Sequence, residues 1–154
     1  MDAATHTLPV GHVGLSVRDL DRSRDFYVRA LGLKVVGQQE AQGTRFAFLG
    51  DGERVTLTLW EQAAERFGDP RGAGAGLQHL AFEVPTASEL EDVRRRLEAL
   101  GAGFAYEGVV PHAEGATSGG LYFTDPDGIR LEIYAPSGVH GHVPVTGAPT
   151  CGFF

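Results

Sequence analysis

The feature that most restricts how this chain folds is that it repeats its own plan. In Gly11-His12-Val13-Gly14-Leu15-Ser16-Val17, alternation puts Val13, Leu15 and Val17 on one face and His12, Gly14 and Ser16 on the other. Leu80, Phe82 and Val84 repeat that pattern opposite His79, Ala81 and Glu83. Each of these strands leads into a helical pattern and then strand-like runs, so both halves read βαβββ. His12 and His79 hold the same place in each. An internal duplication is the economical explanation.

The first copy spans 8–61. Its helix is expected at about Asp21 to Leu31, with Asp21 as N-cap and Gly32 just past the end. Strand-like runs follow at Lys34–Gln39, Thr44–Leu49 and Val55–Trp60. A Gly- and Ala-rich stretch reads as a linker over 62–76, with a helical turn. The second copy spans 77–136. Its helix, about Glu89 to Leu100, lines Leu90, Val93, Leu97 and Leu100 on one face, with Ser88 and Glu91 as a capping box and Gly101 ending it. Strands are expected near Phe104–Val110, Gly120–Thr124 and Ile129–Tyr134, with Asp125-Pro126-Asp127-Gly128 as the turn between the last two. Residues 137–154 read as a tail docked by Phe153 and Phe154.

With 154 residues, the chain fits one compact domain or two small modules sharing a core. A formal charge of −7 argues against nucleic acid or an anionic membrane as partner. No apolar run is long enough to cross a bilayer, and Met1 to Val10 lacks the layout of a secretory signal. The single cysteine, Cys151, allows no intrachain disulfide, so a cytoplasmic location is expected. Cys151 also has no base placed beside it by any motif, which makes it a poor nucleophile.

In the last strand Ile129, Leu131 and Ile133 stand opposite Arg130, Glu132 and Tyr134. A lone strand histidine is more often a structural hydrogen-bonding residue than a ligand. Three features favour a shared site of His12, His79 and Glu132. The histidines are repeat-equivalent, their face neighbours Gly14, Ser16 and Ala81 are small, and an enclosed Glu132 would need a partner. Two imidazoles and one carboxylate form the facial set that binds a divalent metal with open positions.

The βαβββ duplication, the stretches HVGLSVRDLDRSRDFYVRALGL and HLAFEV, and the ending LYFTDPDGIRLEIY resemble the vicinal oxygen chelate superfamily over residues 8 to 136. That superfamily includes glyoxalase I, extradiol dioxygenases, fosfomycin-resistance thiol transferases and bleomycin-binding proteins. The resemblance implies an α+β fold whose two modules form a curved, cup-like mixed sheet with helices outside. It implies metal ligands at His12, His79 and Glu132, a small-molecule substrate and a homodimer. Fe(II) or Mn(II) is the expected metal, with Ni(II) or Zn(II) as alternatives.

Within the superfamily, matching Val55–Trp60 to Ile129–Tyr134 places Thr58 where Glu132 stands. Glyoxalase I normally has a carboxylate there, and Glu61 lies on the opposite face, so a glyoxalase-like lyase or isomerase is disfavoured. Tyr122, ten residues before Glu132, stands where the family's ring-cleaving members carry a tyrosine near the bound catecholate. His112, ten residues before Tyr122, falls near their acid–base histidine; the alternative is a solvated loop residue. Trp60, Phe46, Phe48 and Tyr134 are candidates for a pocket wall or for core.

A thiol transferase is weakened because the 112–120 loop carries no Lys or Arg for a phosphonate, leaving only Arg45 and Arg130; the latter is expected to reach solvent. His140 and His142 read as solvated tail residues. The reading is a divalent-metal-dependent, extradiol-like dioxygenase acting on a catecholic or other vicinal-oxygen compound. A metal-free antibiotic-binding protein is the rival from a different class.

Overall fold

A computed structural model describes residues 7–63 and 76–141. The first module runs β1 (Val13–Val17), α1 (Leu20–Leu31), β2 (Lys34–Ala41), β3 (Thr44–Gly50) and β4 (Val55–Glu61). The second runs β5 (Leu80–Glu83), α2 (Ala87–Ala99), β6 (Gly103–Phe104), β7 (Val110–Pro111), β8 (Gly119–Thr124) and β9 (Arg130–Ala135). The expected Phe104–Val110 strand is thus two short pieces. Residues 64–75 of the linker and 142–154 of the tail, including Cys151, Phe153, Phe154 and His142, lie outside the described residues.

The two modules share one topology. One sheet has the order β1-β4-β3-β2 and the other β5-β9-β8-β6, with β7 added beside β8. In each, the first and last strands are parallel and the rest antiparallel, which makes both sheets mixed. Strand order in each follows from burying the alternating apolar face under that module's helix. Leu15, Val17, Leu57 and Leu59 from one module and Leu121, Phe123, Leu131 and Ile133 from the other belong to a single buried cluster. The helices also touch each other, so the modules share that core.

Helix starts differ from expectation by one to two residues. Asp19, not Asp21, caps α1: its Oδ1 accepts from the Arg22 N–H at 2.9 Å. Complete burial of Leu20 draws the helix start upstream, and Glu61 Oε2 takes the Leu20 N–H at 2.8 Å. Thr86, not Ser88, caps α2, accepting from the Glu89 N–H at 3.2 Å. The motif Thr86-Ala87-Ser88-Glu89 offers the same S/T-x-x-E spacing two residues earlier, and Glu91 instead pairs with Arg94 at 2.6 Å. Gly32 ends α1 in the left-handed region at φ 71°, as expected.

The Asp125–Gly128 turn closes as expected, with the Gly128 N–H donating to the Asp125 carbonyl at 3.0 Å. It also clasps the first module. Buried Asp127 accepts from the Arg18 N–H at 3.1 Å, from Arg22 Nη2 at 2.9 Å and from the Ser23 hydroxyl at 3.3 Å. Tyr27 donates its hydroxyl to Asp125 Oδ2 at 2.9 Å. Burial pushes the Asp125 carboxyl above the ordinary aspartate range, and burial together with Asp125 pushes the Tyr27 hydroxyl well above its ordinary value. These contacts fix one module against the other.

Candidate metal centre

Glu132 is the centre of the site. It lies mid-β9, paired with Ala81 of β5 on one side and Tyr122 of β8 on the other, and only 1% of it is exposed. A buried carboxylate needs donors. His112 Nε2 lies 2.8 Å from Glu132 Oε1, and the Tyr122 hydroxyl donates to the same oxygen at 3.1 Å. His79 Nε2 faces Oε2 at 3.3 Å. Room for this cluster depends on Gly120, where a Cβ would stand 2.8 Å from Glu132 Oε1 and 3.0 Å from the Ile133 carbonyl oxygen.

Both imidazoles are oriented from their far sides. Ser118 Oγ lies 2.9 Å from His112 Nδ1, and the Ser118 carbonyl accepts the His112 N–H at 3.1 Å, closing the 112–118 loop. His79 Nδ1 contacts Gln78 Oε1. Gln78 Oε1 can accept from Nδ1–H, the tautomer in which His79 Nε2 presents its lone pair to a cation at the Glu132 carboxylate. Neutral imidazole and carboxylate are hard-to-borderline donors suited to Fe(II), Mn(II), Ni(II) or Zn(II), so this pair fits the expected metal.

His12 and His79 each immediately precede the first strand of their module. His12 is exposed and outside the Glu132 cluster. Among the described residues, no three His, Cys, Asp or Glu side chains converge within one chain in a way that would hold a metal. The structure therefore brings together His79, His112, Tyr122 and Glu132 and leaves His12 apart.

The repeat register supports the match of Thr58 to Glu132. Gly14, two residues after His12, pairs with Thr58, just as Ala81, two residues after His79, pairs with Glu132. Thr58 is buried and accepts from Trp60 Nε1 at 3.0 Å, and Trp60 stacks on Phe46 with ring centroids 4.5 Å apart. Phe48 packs edge-on against Phe46. Glu61 is spent on the α1 N-terminus and on Arg45, and Arg45 also grips Asp21 at 2.6 Å, holding that carboxyl below its usual range. Tyr134 lies beside His112 and donates to Glu83 at 2.6 Å. His140 is exposed.

Sequence reasoning missed Ser118, Gln78 and Gly120. The Gly119-Gly120 pair reads as loop flexibility in sequence. The signal available was its position at a strand start, where paired glycines mark close approach of another group.

A sequence model of the Glyoxalase/Bleomycin resistance protein/Dioxygenase superfamily matches residues 10–133, and the chain belongs to that superfamily, the vicinal oxygen chelate proteins. It is 33% identical over 126 residues to a catechol-2,3-dioxygenase of Bacillus subtilis, covering 82% of this chain but only 41% of that longer protein. It is 29% identical to a lactoylglutathione lyase of Pseudomonas aeruginosa, covering 88% of this chain and 87% of the relative. Among solved structures, a glyoxylase/bleomycin resistance protein/dioxygenase domain from Frankia sp. EAN1pec superposes with a TM-score of 0.70 at 30% identity, covering 84% of this chain and 98% of that one. None of the described helices is long and apolar enough to cross a membrane.

Proposed function

We propose that this chain is a divalent-metal-dependent oxygenase of the extradiol type, acting on a small molecule with two adjacent oxygens. The observation that carries the reading is buried Glu132 with His79 Nε2 on one oxygen and His112 Nε2 and the Tyr122 hydroxyl on the other. His79 and Glu132 of one protomer and His12 of its partner form the ligand set in a homodimer. Exposure of His12 outside the Glu132 cluster supports that assignment. A divalent metal held by these residues would supply Lewis acidity toward a substrate hydroxyl and activation of dioxygen.

The protein's own groups do the rest. Gln78 orients the His79 ring, and Ser118 orients His112. His112 and Tyr122 hold the Glu132 carboxylate, and the His112 imidazole is the side chain placed beside it to relay the substrate proton. Thr58 at the position repeat-equivalent to Glu132 favours an oxygenase over a lyase or isomerase, since no second carboxylate stands there to move a proton between carbons.

Anaerobic Fe(II) loading followed by oxygen uptake over a panel of catechols tests the reading, with methylglyoxal–glutathione and fosfomycin–thiol as controls. Oxygen consumption on a catechol is the expected result. Turnover of a thiol adduct without oxygen uptake sinks the oxygenase. A wild type that stays metal-free after Fe(II), Mn(II), Ni(II) and Zn(II) loading favours a metal-free binding protein.

A further inference from the structure

The face of the first sheet turned away from α1 carries an aromatic slab that the metal ligands do not explain. Leu57, Leu59, Ala47 and Leu49 belong to the core shared with α1. Alternation puts Thr58, Trp60, Phe46 and Phe48 on the other face, and none of these four belongs to that core. The three rings form one packed row. Trp60 stacks on Phe46 with centroids 4.5 Å apart and planes 20° apart, and Phe46 meets Phe48 edge-on at 5.5 Å. The indole N–H donates to Thr58 Oγ1 at 3.0 Å, which fixes the rotation of the ring. Trp60 is nevertheless 37% exposed. A large apolar ring held in place and left in water is a ready surface for a second flat group.

The slab also reaches the strand that follows His12. Ser16 pairs with Trp60 and Gly14 with Thr58. A Cβ at Gly14 would lie 3.2 Å from Thr58 Oγ1 and 3.8 Å from Trp60 Nε1, so the polar edge of the indole comes across to β1 there. Gly14 is two residues past His12, and by alternation His12 belongs to the same row. From this juxtaposition we infer that Trp60 binds the substrate's ring, and that it does so in the partner subunit's site, carried there with His12. This inference rests on the reading in which His12 of one protomer joins His79 and Glu132 of the other. A sheet face that delivers His12 to that centre delivers Trp60 with it, because β1 and β4 are paired strands of one sheet. The indole offers a flat, uncharged surface whose one polar atom is already taken by Thr58. It therefore selects a conjugated ring by stacking and burial, and supplies no charge to a polar tail.

Acetohydroxamate and benzohydroxamate share one chelating head and differ by a ring, and both are titrated calorimetrically into Mn(II)-loaded protein. Benzohydroxamate is expected to bind at least about fivefold tighter. Trp60 is the single tryptophan of the chain, so its emission reports the contact directly. Benzohydroxamate should shift that emission along the same binding curve, and acetohydroxamate should not. Trp60→Met should bring the two affinities together, and Trp60→Phe, which keeps a ring, should retain part of the gap. Equal affinities in the wild type, an unmoved emission, or a full gap in Trp60→Met each overturn the inference. Refolding Glu132→Ala together with the double variant His12→Ala, Trp60→Met then locates the contact. Sites that regain metal should show the wild-type preference, since His12 and Trp60 arrive on one chain. Metal restored without the preference overturns the placement in the partner's site. A mixture that restores no metal overturns that placement along with the dimer, while the wild-type affinities still decide the ring contact. A wild type that takes up no Mn(II) fails the metal centre, and the inference with it.

Discussion

At the scale of single residues, the site is set by who stands next to Glu132. Its place was legible in the sequence, because alternation on β9 and the repeat put it on the same face as His79. Its surroundings were not, because Gln78, Ser118 and Gly120 act through side-chain reach and loop closure, which periodicity does not encode. Gly120 gives the sharpest test. Gly120→Ala places a methyl group 2.8 Å from Glu132 Oε1 and 3.0 Å from the Ile133 carbonyl, so the carboxylate is forced off its partners. Stability should fall by about 1–3 kcal/mol, as in other overpacked sites. Metal affinity should fall at least tenfold, the usual cost of disturbing a ligand's support. Chemical denaturation and metal titration read the two effects, and a variant with wild-type metal affinity would contradict the crowding argument. His112→Ala separates support from ligation: metal stoichiometry is retained while turnover falls by about 10²-fold or more, the scale of a lost proton carrier.

At the scale of elements, the strands and helices were found by period and both N-caps lie two residues upstream of the expected ones, at Asp19 and Thr86. Ser/Thr-x-x-Glu occurs at Thr86–Glu89 and again at Ser88–Glu91, so pattern alone could not choose. The contacts decide it: the extended Thr86 takes the Glu89 N–H on its hydroxyl, while Glu91 is held by Arg94. Thr86→Ala should therefore cost about 1 kcal/mol and Ser88→Ala much less; equal losses would return the cap to Ser88.

The Asp125–Gly128 turn was legible as a turn but not as a clasp. Its second role depends on partners about a hundred positions away in the chain, Tyr27, Arg18 and Arg22. Because burial raises the Asp125 carboxyl, the folded state holds that proton more tightly than the unfolded chain does. The stability this contributes is complete below the ordinary aspartate value of 3.8 and is lost as pH rises through the higher folded value. Asp125→Asn has no such titration. The wild type's margin over Asp125→Asn in urea denaturation should shrink as pH rises through that window, and a margin that grows would refute the sign.

At the scale of the whole molecule, duplication explains both what the chain contains and what one copy of it lacks. Each module brings a histidine to the entrance of its first strand, but only the second brings a carboxylate, with Thr58 in the equivalent place of the first. His79 and Glu132 thus have each other, while His12 is exposed and its module carries Thr58 where the other carries Glu132. The proposed two-fold dimer would answer this: an isologous interface that carried His12 of each protomer to the Glu132 cluster of the other would build two equal sites.

Mixing experiments decide it without a further structure. His12→Ala and Glu132→Ala should each bind no stoichiometric metal alone. Unfolded together and refolded at equal amounts, they form heterodimers in about half the population. In each heterodimer one site carries both lesions and the other carries none, so about a quarter of all sites regain metal. If both ligands come from one chain, every site keeps a lesion and mixing restores nothing. Metal content per protomer after refolding gives the answer directly, and zero recovery from mixtures whose heterodimers are verified by mass would place His12 and Glu132 in the same protomer's site.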